Sequence, residues 1–253
     1  MKSDRKSGGP MTPVPGSMRG TIRRRLLVNA AVDPDEASSR LPHFLRPHVT
    51  EVGTVVGCCL LDIAAIRPTG VPAVLGRRLR AAAHRISVDW EDASGTTVTG
   101  VYVPVRHTDS RVATLVGGRW FPGVHQPAVV DITASDSRLV WSCIPDQADC
   151  DLAVRVTVSI PDIRLPCPGD VIGETCLGAS VGLSPGRRGV LEAARMDPEH
   201  RRAQAVVVED LRSAFIESFV SAEPATSYLM RDAGVVWTSA TSNVPGSVRS
   251  PHS

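Results

Sequence analysis

The sequence predicts a β-rich α+β fold in which many short strands form a barrel or a strongly bent sheet with few helices. Apolar and polar residues alternate with a period of two in several segments, as in half-buried strands. Clusters of Gly, Pro, Asp and Ser separate these segments, as turns do. Helical patterns are few and short, and no repeat is evident at periods of ~20–50 residues.

The chain of 253 residues predicts one domain between two loose ends. A single β-rich domain of ~200–250 residues is common. Residues 1–18 hold three prolines and three glycines and little to bury, which predicts a disordered tail. We expect the domain to cover residues 19–240 and a second loose tail to cover residues 241–253.

Strand patterns run through the whole expected domain. The clearest is a hairpin, in which residues 84–91 alternate, residues 92–95 have turn chemistry and residues 97–105 return. The other strand candidates are residues 25–32, 49–66, 128–134, 139–144, 152–160, 203–208 and 235–237.

Helices are expected at three places. Asp33 can cap a short helix, with Pro34 at its first position and Glu36 completing a capping box. Residues 169–182 form a weaker candidate because they contain three glycines. Residues 209–220 predict a short helix or an irregular amphipathic segment.

The charge balance excludes several classes of partner. Lys and Arg number 28 against 26 Asp and Glu, a net charge of +2, so the chain as a whole has no electrostatic reason to bind nucleic acid or an anionic membrane. The longest uncharged apolar run, residues 52–61, is shorter than the ~20 residues that a bilayer requires. We expect neither a nucleic-acid nor a membrane partner.

Cysteine usage and the N-terminus indicate the compartment. The six cysteines include no C-x-x-C pair and no Cys/His cluster at zinc spacing, so no metal site is expected. No apolar stretch of signal-peptide length follows the first charged residues, which predicts a cytoplasmic protein with reduced thiols. Cys143 and Cys150 flank a short turn, and a disulfide between them stays open.

One part of the sequence has the features of a binding site. Residues 101–111, VYVPVRHTDSR, read as a strand that ends in a charged cluster. Residues 117–128, GGRWFPGVHQPA, then form a glycine-rich turn with aromatic, arginine and histidine side chains. Loops held by a sheet often carry function. Nucleotide-binding, serine-hydrolase and metalloprotease motifs are absent, so no cofactor is expected.

These residues resemble the acetoacetate decarboxylase-like superfamily. The resemblance covers residues 19–239 and rests on the order of the first strand, the Asp33-Pro34 helix, the hairpin and the glycine-rich turn. It is stronger for a bacterial branch known as a domain of unknown function, on the text AAHRISVDW, GVYVP and GGRWFPGVH. The resemblance implies a cone-shaped, mostly antiparallel β-barrel with a few flanking helices, an internal pocket and a possible homo-oligomer.

The superfamily's imine chemistry has no matching residue here. In the decarboxylase, the glycine-rich turn leads into a lysine that forms a Schiff base with a β-keto acid. The resemblance places that lysine at Gln126, with His125 and Pro127 beside it, and none of these has a primary amine. Lys2 and Lys6 are the only lysines of the chain, and a disordered tail cannot desolvate them as the chemistry requires.

The candidate site residues follow from the turn and the neighbouring strands. His125 is either a general acid or base or a loop histidine bonded to backbone. Arg119 either clamps a carboxylate or pairs with Asp109 or Asp131. The other candidates are His84, whose strand neighbour Arg85 should point to the opposite face, Arg106 at a strand end, Gln126, and Arg25 as one of three arginines at residues 23–25.

We therefore expect a protein that binds a small anionic or enolisable organic acid. If it is an enzyme, His125 or His84 moves protons, while Arg119, Gln126, Arg106 and Arg25 hold the substrate without metal or imine. The alternatives are a non-catalytic sensor or carrier and a structural subunit of an oligomer.

Overall fold

The computed structural model describes residues 16–92, 94–146, 152–161, 170–187 and 190–240. The strands are β1 Met18–Val32, β2 Arg46–Pro47, β3 Val49–Thr50, β4 Gly53–Pro68, β5 Arg77–Glu91, β6 Thr97–Thr108, β7 Gln126–Ala134, β8 Arg138–Pro145, β9 Val154–Ser159, β10 Val181–Pro185, β11 Leu191–Pro198, β12 Ala203–Ser213 and β13 Glu223–Ser239. The α-helices are α1 Pro34–Ser38, α2 Arg111–Val116, α3 Val171–Gly178 and α4 Ala214–Glu217.

The strands form one sheet that closes in a ring, which confirms the strand-rich fold with few helices. The ring runs in the order β6, β7, β8, β9, β12, β13, β1, β4 and β5, and β5 then pairs with β6. A second closure leads from β6 through β10 and β11 to β13. Among the described strands, β6 pairs in parallel with β7 and β10, and the other pairings are antiparallel.

The expected hairpin is confirmed, since β5 and β6 pair antiparallel from Glu91 opposite Thr97. The helix α1 is also present, and the Asp33 carboxylate accepts hydrogen bonds from the backbone N–H groups of Asp35 and Glu36. The capping box is wrong. The Glu36 carboxylate accepts from the backbone of Val220 and Ser221 instead, because the β12–β13 connection packs beside this helix.

Two other helix predictions are wrong in part. In the stretch 169–182, only Val171–Gly178 is helical, and β10 begins at Val181. In the stretch 209–220, the chain stays in β12 as far as Ser213, because it pairs there with β9. Cys150 lies outside the described residues, and Cys143 is a buried thiol on β8.

Both faces of the β1–β4–β5 part of the sheet are buried. Val28 and Cys58 belong to the larger apolar cluster on one face. Leu27 and Cys59, one residue away on each strand, belong to a second cluster that includes residues of α3. Successive residues of a strand point to opposite faces, so the two sides of this sheet can form different sites.

The tryptophan residues differ in burial. Trp90 and Trp141 are fully buried, but Trp120 is 82% exposed, because the turn carries its side chain outward. Within the described residues, no helix is long and apolar enough to cross a membrane.

Candidate functional site

The glycine-rich turn lies beside β6, at the point where this strand changes its pairing partner from β10 to β7. β6 pairs with β10 at Val101 and Tyr102 and with β7 at His107 and Thr108, which leaves residues 103–106 between the two pairings. A cavity of about 370 Å³ adjoins this gap. Its walls are formed by Val103, Pro104, Val105, Val124, Gln126, Ser184, Pro185, Gly186 and Arg187.

Arg106 lies beside this cavity and contacts the turn. One terminal nitrogen donates to Ser184 Oγ at 2.5 Å. Gly123 has φ +97°, which favours glycine, and a Cβ there would lie 2.0 Å from the same nitrogen, so any other residue would displace the guanidinium. The Gly123 N–H donates to Glu192 Oε2 at 2.7 Å, which holds the turn against β11.

The Arg106 guanidinium remains charged and without a salt bridge to any described residue. Burial lowers its pKa to about 10, against the opposing effects of Cys59 and Glu192. At neutral pH the side chain is therefore a half-buried cation that a ligand anion can approach.

His125 is held in its neutral form next to Arg106. Burial and the Arg106 charge lower its pKa to about 3, although a hydrogen bond to the Gly123 carbonyl opposes this shift. Nδ1 lies 3.1 Å from that carbonyl oxygen, so Nδ1 carries the proton and Nε2 is left as an acceptor. The backbone bond is the one expected of a loop histidine.

Gln126 begins β7, lines the cavity and hydrogen-bonds the His107 side chain on β6. Burial lowers the pKa of His107, and the bond to Gln126 opposes this shift. The residue at the position expected for a Schiff-base lysine therefore contributes a neutral amide to the cavity wall.

Arg25 is buried on the same face of the sheet as Arg106. Cys59 on β4 lies opposite Leu27 on one side and Ala83 on the other, and Ala83 lies opposite Arg106. Laterally paired residues point to the same face, and so do residues two apart on one strand.

The charge of Arg25 has no partner of opposite sign. Its side chain is 4% exposed, and Nε donates to Cys59 Sγ at 3.4 Å. One terminal nitrogen has no hydrogen-bond partner within the part of the chain that the structure describes, and no carboxylate there pairs with this arginine. Of the three arginines at residues 23–25, Arg25 is the one that points inward.

His84 lies on the opposite face and is fully buried. Its Nε2 is 3.0 Å from the Leu152 carbonyl, its Nδ1 is 3.2 Å from Cys58 Sγ, and its ring packs against Phe215. Burial, together with the neighbouring His107, lowers its pKa to about 4. Burial also raises the pKa of the Cys58 thiol to about 12, so the contact joins two neutral groups.

Arg119 points to solvent at the surface of the turn. Its guanidinium donates to the Leu115 carbonyl at 2.7 Å, near the C-terminus of α2. Asp109 instead pairs with Arg80 at 2.5 Å. The structure thus brings Arg106, His125 and Gln126 together with Arg25 nearby, while Arg119 lies apart. His84 lies on the opposite face, where its ring centroid is 5.9 Å from that of His107.

Three polar residues near Arg25 were absent from the sequence-based candidates. Arg85 is 4% exposed, and a guanidinium nitrogen donates to Asn29 Oδ1. Cys176 on α3 donates to the same oxygen at 3.5 Å. The period-two alternation of β5 predicts that Arg85 and His84 point to opposite faces. The residues around Arg85 come from strands and a helix that are distant in sequence, so the sequence pattern does not reveal them. Across the described ranges, no group of three or more metal-ligating side chains occurs.

The fold that this site is built on is the acetoacetate decarboxylase fold. Acetoacetate decarboxylase from Legionella pneumophila subsp. pneumophila str. Philadelphia 1 aligns with a TM-score of 0.62 and 13% identity over 94% of this chain and 96% of that chain. An acetoacetate decarboxylase-like enzyme from Sphingomonas wittichii RW1 aligns with a TM-score of 0.60 and 12% identity, over 94% and 98%.

A biosynthetic enzyme with the same fold is also similar. The enduracididine biosynthesis enzyme MppR, complexed with the condensation product of pyruvate and imidazole 4-carboxaldehyde, aligns with a TM-score of 0.57 and 14% identity over 90% of this chain and 88% of that chain. At these identities the likeness concerns the fold. No family model and no curated protein matches the sequence.

Proposed function

We propose that this chain is a member of the acetoacetate decarboxylase-like superfamily that binds a small organic acid without forming an imine. The observation that carries the proposal is the presence of Arg25 and Arg106 on one sheet face, both at least partly buried and neither paired with a carboxylate of the described residues. We further propose a cytoplasmic protein that forms homo-oligomers.

The physical basis is the cost of an unpaired buried charge. Removing a cation from water costs several kcal/mol unless an anion compensates it. A carboxylate provides that compensation, since the guanidinium presents two parallel donors that match its oxygens. The free terminal nitrogen of Arg25 is a donor that such a ligand can satisfy.

The neutral His125 favours binding over proton transfer. With a pKa of about 3, it accepts a hydrogen bond at neutral pH and is a weak base. An enolisable acid would be held by the two arginines and oriented by Nε2 of His125 and by the Gln126 amide. This favours a carrier or sensor, while a lysine-independent enzyme is the second candidate.

The absence of lysine from residues 7–253 supports the imine-free part of the proposal. An imine requires a primary amine at the reacting centre. The relative MppR has been described in complex with pyruvate, which makes pyruvate and acetoacetate the first probes for this chain.

Thermal shift with pyruvate and acetoacetate tests the proposal. We expect both acids to raise Tm in the wild type, and the Arg25→Met and Arg106→Met variants to lose that response. Arg195→Met, which removes an exposed arginine of β11, is the matched control and should respond like the wild type. Equal responses in all four proteins, or none in the wild type, would contradict the site.

Borohydride reduction in the presence of either acid tests the imine-free part separately. We expect an unchanged intact mass. A mass increase equal to that of a reduced keto-acid adduct would contradict this part of the proposal.

A further inference from the structure

Arg85 is a second fully enclosed cation on the face that carries Arg25. It is 4% exposed, and its Nε has no hydrogen-bond partner among the residues that the structure describes. A terminal nitrogen donates to Asn29 Oδ1, and the side chain also forms a hydrogen bond with Cys176. The side chain therefore has a donor available to a ligand and no carboxylate to balance its charge.

The register places Arg25 and Arg85 on either side of Cys59. On β4, Cys59 lies two residues from Gly57, which is opposite Arg85, and two residues from Leu61, which is opposite Arg25. Arg25 donates to the Cys59 sulfur at 3.4 Å. Burial disfavours the charged form of Arg85, but its interactions with Cys176 and Cys59, including a hydrogen bond with Cys176, outweigh this effect and raise its pKa above the usual value.

Three residues of this face are only partly buried. Leu61 and Ala83 lie in the middle of fully paired strands, yet both are only partly buried. Arg106, opposite Ala83, is also partly buried.

The three arginines of this face lack a direct ionic partner. Arg25, Arg85 and Arg106 supply three positive charges, and the described residues offer none of them a salt bridge. Of the described acids near this face, Glu192 accepts from the Gly123 backbone and favours the charged form of Arg106, and Asp170 accepts from Tyr228, but neither forms a salt bridge with these arginines.

Elsewhere a buried acid is balanced by arginines. Asp62, which is fully buried, accepts two hydrogen bonds from Arg78 and also pairs with Arg24. Within the described strands β1, β4 and β5, buried arginines without a salt bridge therefore occur only on the face that carries Cys59. Arg25 and Arg85 are enclosed without a salt bridge, which indicates that a ligand supplies the compensating charge.

We propose that this face binds a dicarboxylic acid, with one carboxylate at Arg25 and Arg106 and the second at Arg85. The inference rests on the proposed binding of an organic acid and adds that the ligand carries two carboxylates. Each carboxylate would accept from one of the two buried donors that lack a partner. Asn29 orients Arg85 for this role, and Arg106, which is partly exposed, keeps the remaining positive charge near solvent.

Isothermal titration with succinate, butyrate and inorganic phosphate tests the inference. Succinate and butyrate have the same number of carbons and differ in one carboxylate. We expect the wild type to bind succinate at least about 10-fold more tightly than butyrate, because one charge-assisted bidentate contact contributes about that factor or more. Phosphate should bind more weakly than succinate.

Arg85→Met is the informative variant. It should reduce succinate affinity to that of butyrate and leave butyrate binding unchanged. Arg85→Lys keeps the charge without the planar fork and should give an intermediate affinity for succinate. Arg195→Met is the control for loss of an exposed arginine and should titrate like the wild type.

The outcomes separate the two proposals. Equal affinities for succinate and butyrate in the wild type overturn the dicarboxylate inference and leave the binding of an organic acid intact. Tighter binding of phosphate than of succinate also overturns it. If Arg85→Met weakens both acids to the same extent, Arg85 has no separate carboxylate and the inference fails. If neither acid binds the wild type, the proposed function fails as well.

The free energy of unfolding provides a second measurement for Arg85→Met. Replacing an unpaired buried charge with an apolar side chain of similar length should leave the unliganded protein as stable as the wild type or more stable. A purely structural Arg85 would instead make this variant less stable, and that result would overturn the inference.

Discussion

At the scale of single residues, the buried histidines predict how stability depends on pH. The folded-state pKa of His84 is about 4, below the ordinary 6.5, because the side chain is buried next to His107. Between these values the unfolded chain binds more protons than the folded one, so stability is complete above about pH 6.5 and falls as the pH decreases toward 4.

The test is urea unfolding of the wild type and of His84→Gln at pH 7 and pH 5. The wild type should lose roughly 2 kcal/mol more than the variant between these pH values, since one pKa unit corresponds to about 1.4 kcal/mol. His43→Gln, at an exposed histidine, should lose as much as the wild type. Parallel losses in the wild type and in His84→Gln would contradict this assignment.

The sequence pattern indicated which site residues lie close together but not the direction of every side chain. Arg106, His125 and Gln126 lie close together because they come from a strand end and the turn after it, which the pattern of residues 101–128 indicated; their role in binding stays a prediction. The direction of Arg119 depends on Gly118, whose φ is +68°, and on α2, which the sequence pattern did not reveal. A turn conformation of this kind decides which side chains point outward.

At the scale of elements, α1 is joined to the β12–β13 connection through Glu36. The Glu36 carboxylate accepts from the backbone N–H groups of Val220 and Ser221 and from the Ser221 hydroxyl. These hydrogen bonds, first that of the Ser221 hydroxyl, lower the pKa of Glu36. A carboxyl group with a lowered folded-state pKa stabilises the fold above its ordinary pKa and loses this effect as the pH falls through the lowered value.

We therefore expect Glu36→Gln to unfold at a lower urea concentration than the wild type at pH 7. The difference should shrink as the pH falls below about 4.5, where the wild-type carboxyl of the unfolded chain becomes protonated. Glu51→Gln, at an exposed position before β4, is the control and should match the wild type at both pH values. A constant difference at all pH values would show that charge is not the cause.

Strands were more predictable than helices in this chain. The alternation in residues 84–91 and 97–105 fixed a hairpin, since pairing and side-chain direction both follow a period of two. Residues 209–213 have a pattern that fits a helix, but pairing with β9 keeps them extended. Likewise, Glu36 satisfies the local sequence of a capping box and instead bonds residues 184 and 185 positions away. Local patterns cannot show such tertiary competition.

At the scale of the whole molecule, the pairing along β1 is far more extensive than the pairing between β6 and β10, and this predicts how the protein opens. β1 pairs with β4 on one side and β13 on the other along most of its length, and both of its faces are buried. The β6–β10 closure rests on the pairs Gly182–Val101 and Leu183–Tyr102. Regions with few paired and buried backbone groups open without unfolding the rest.

Hydrogen exchange measured by mass spectrometry tests this difference. We expect amides in β1 and β4 to exchange only through global unfolding, with a free energy equal to that from urea denaturation. Amides in β10 should exchange at a lower free energy and respond less to urea, because they open locally. Equal protection of β1 and β10 would show that these two regions open together. In that case β10, whose Ser184 contacts Arg106, would open only together with the sheet that holds Arg25.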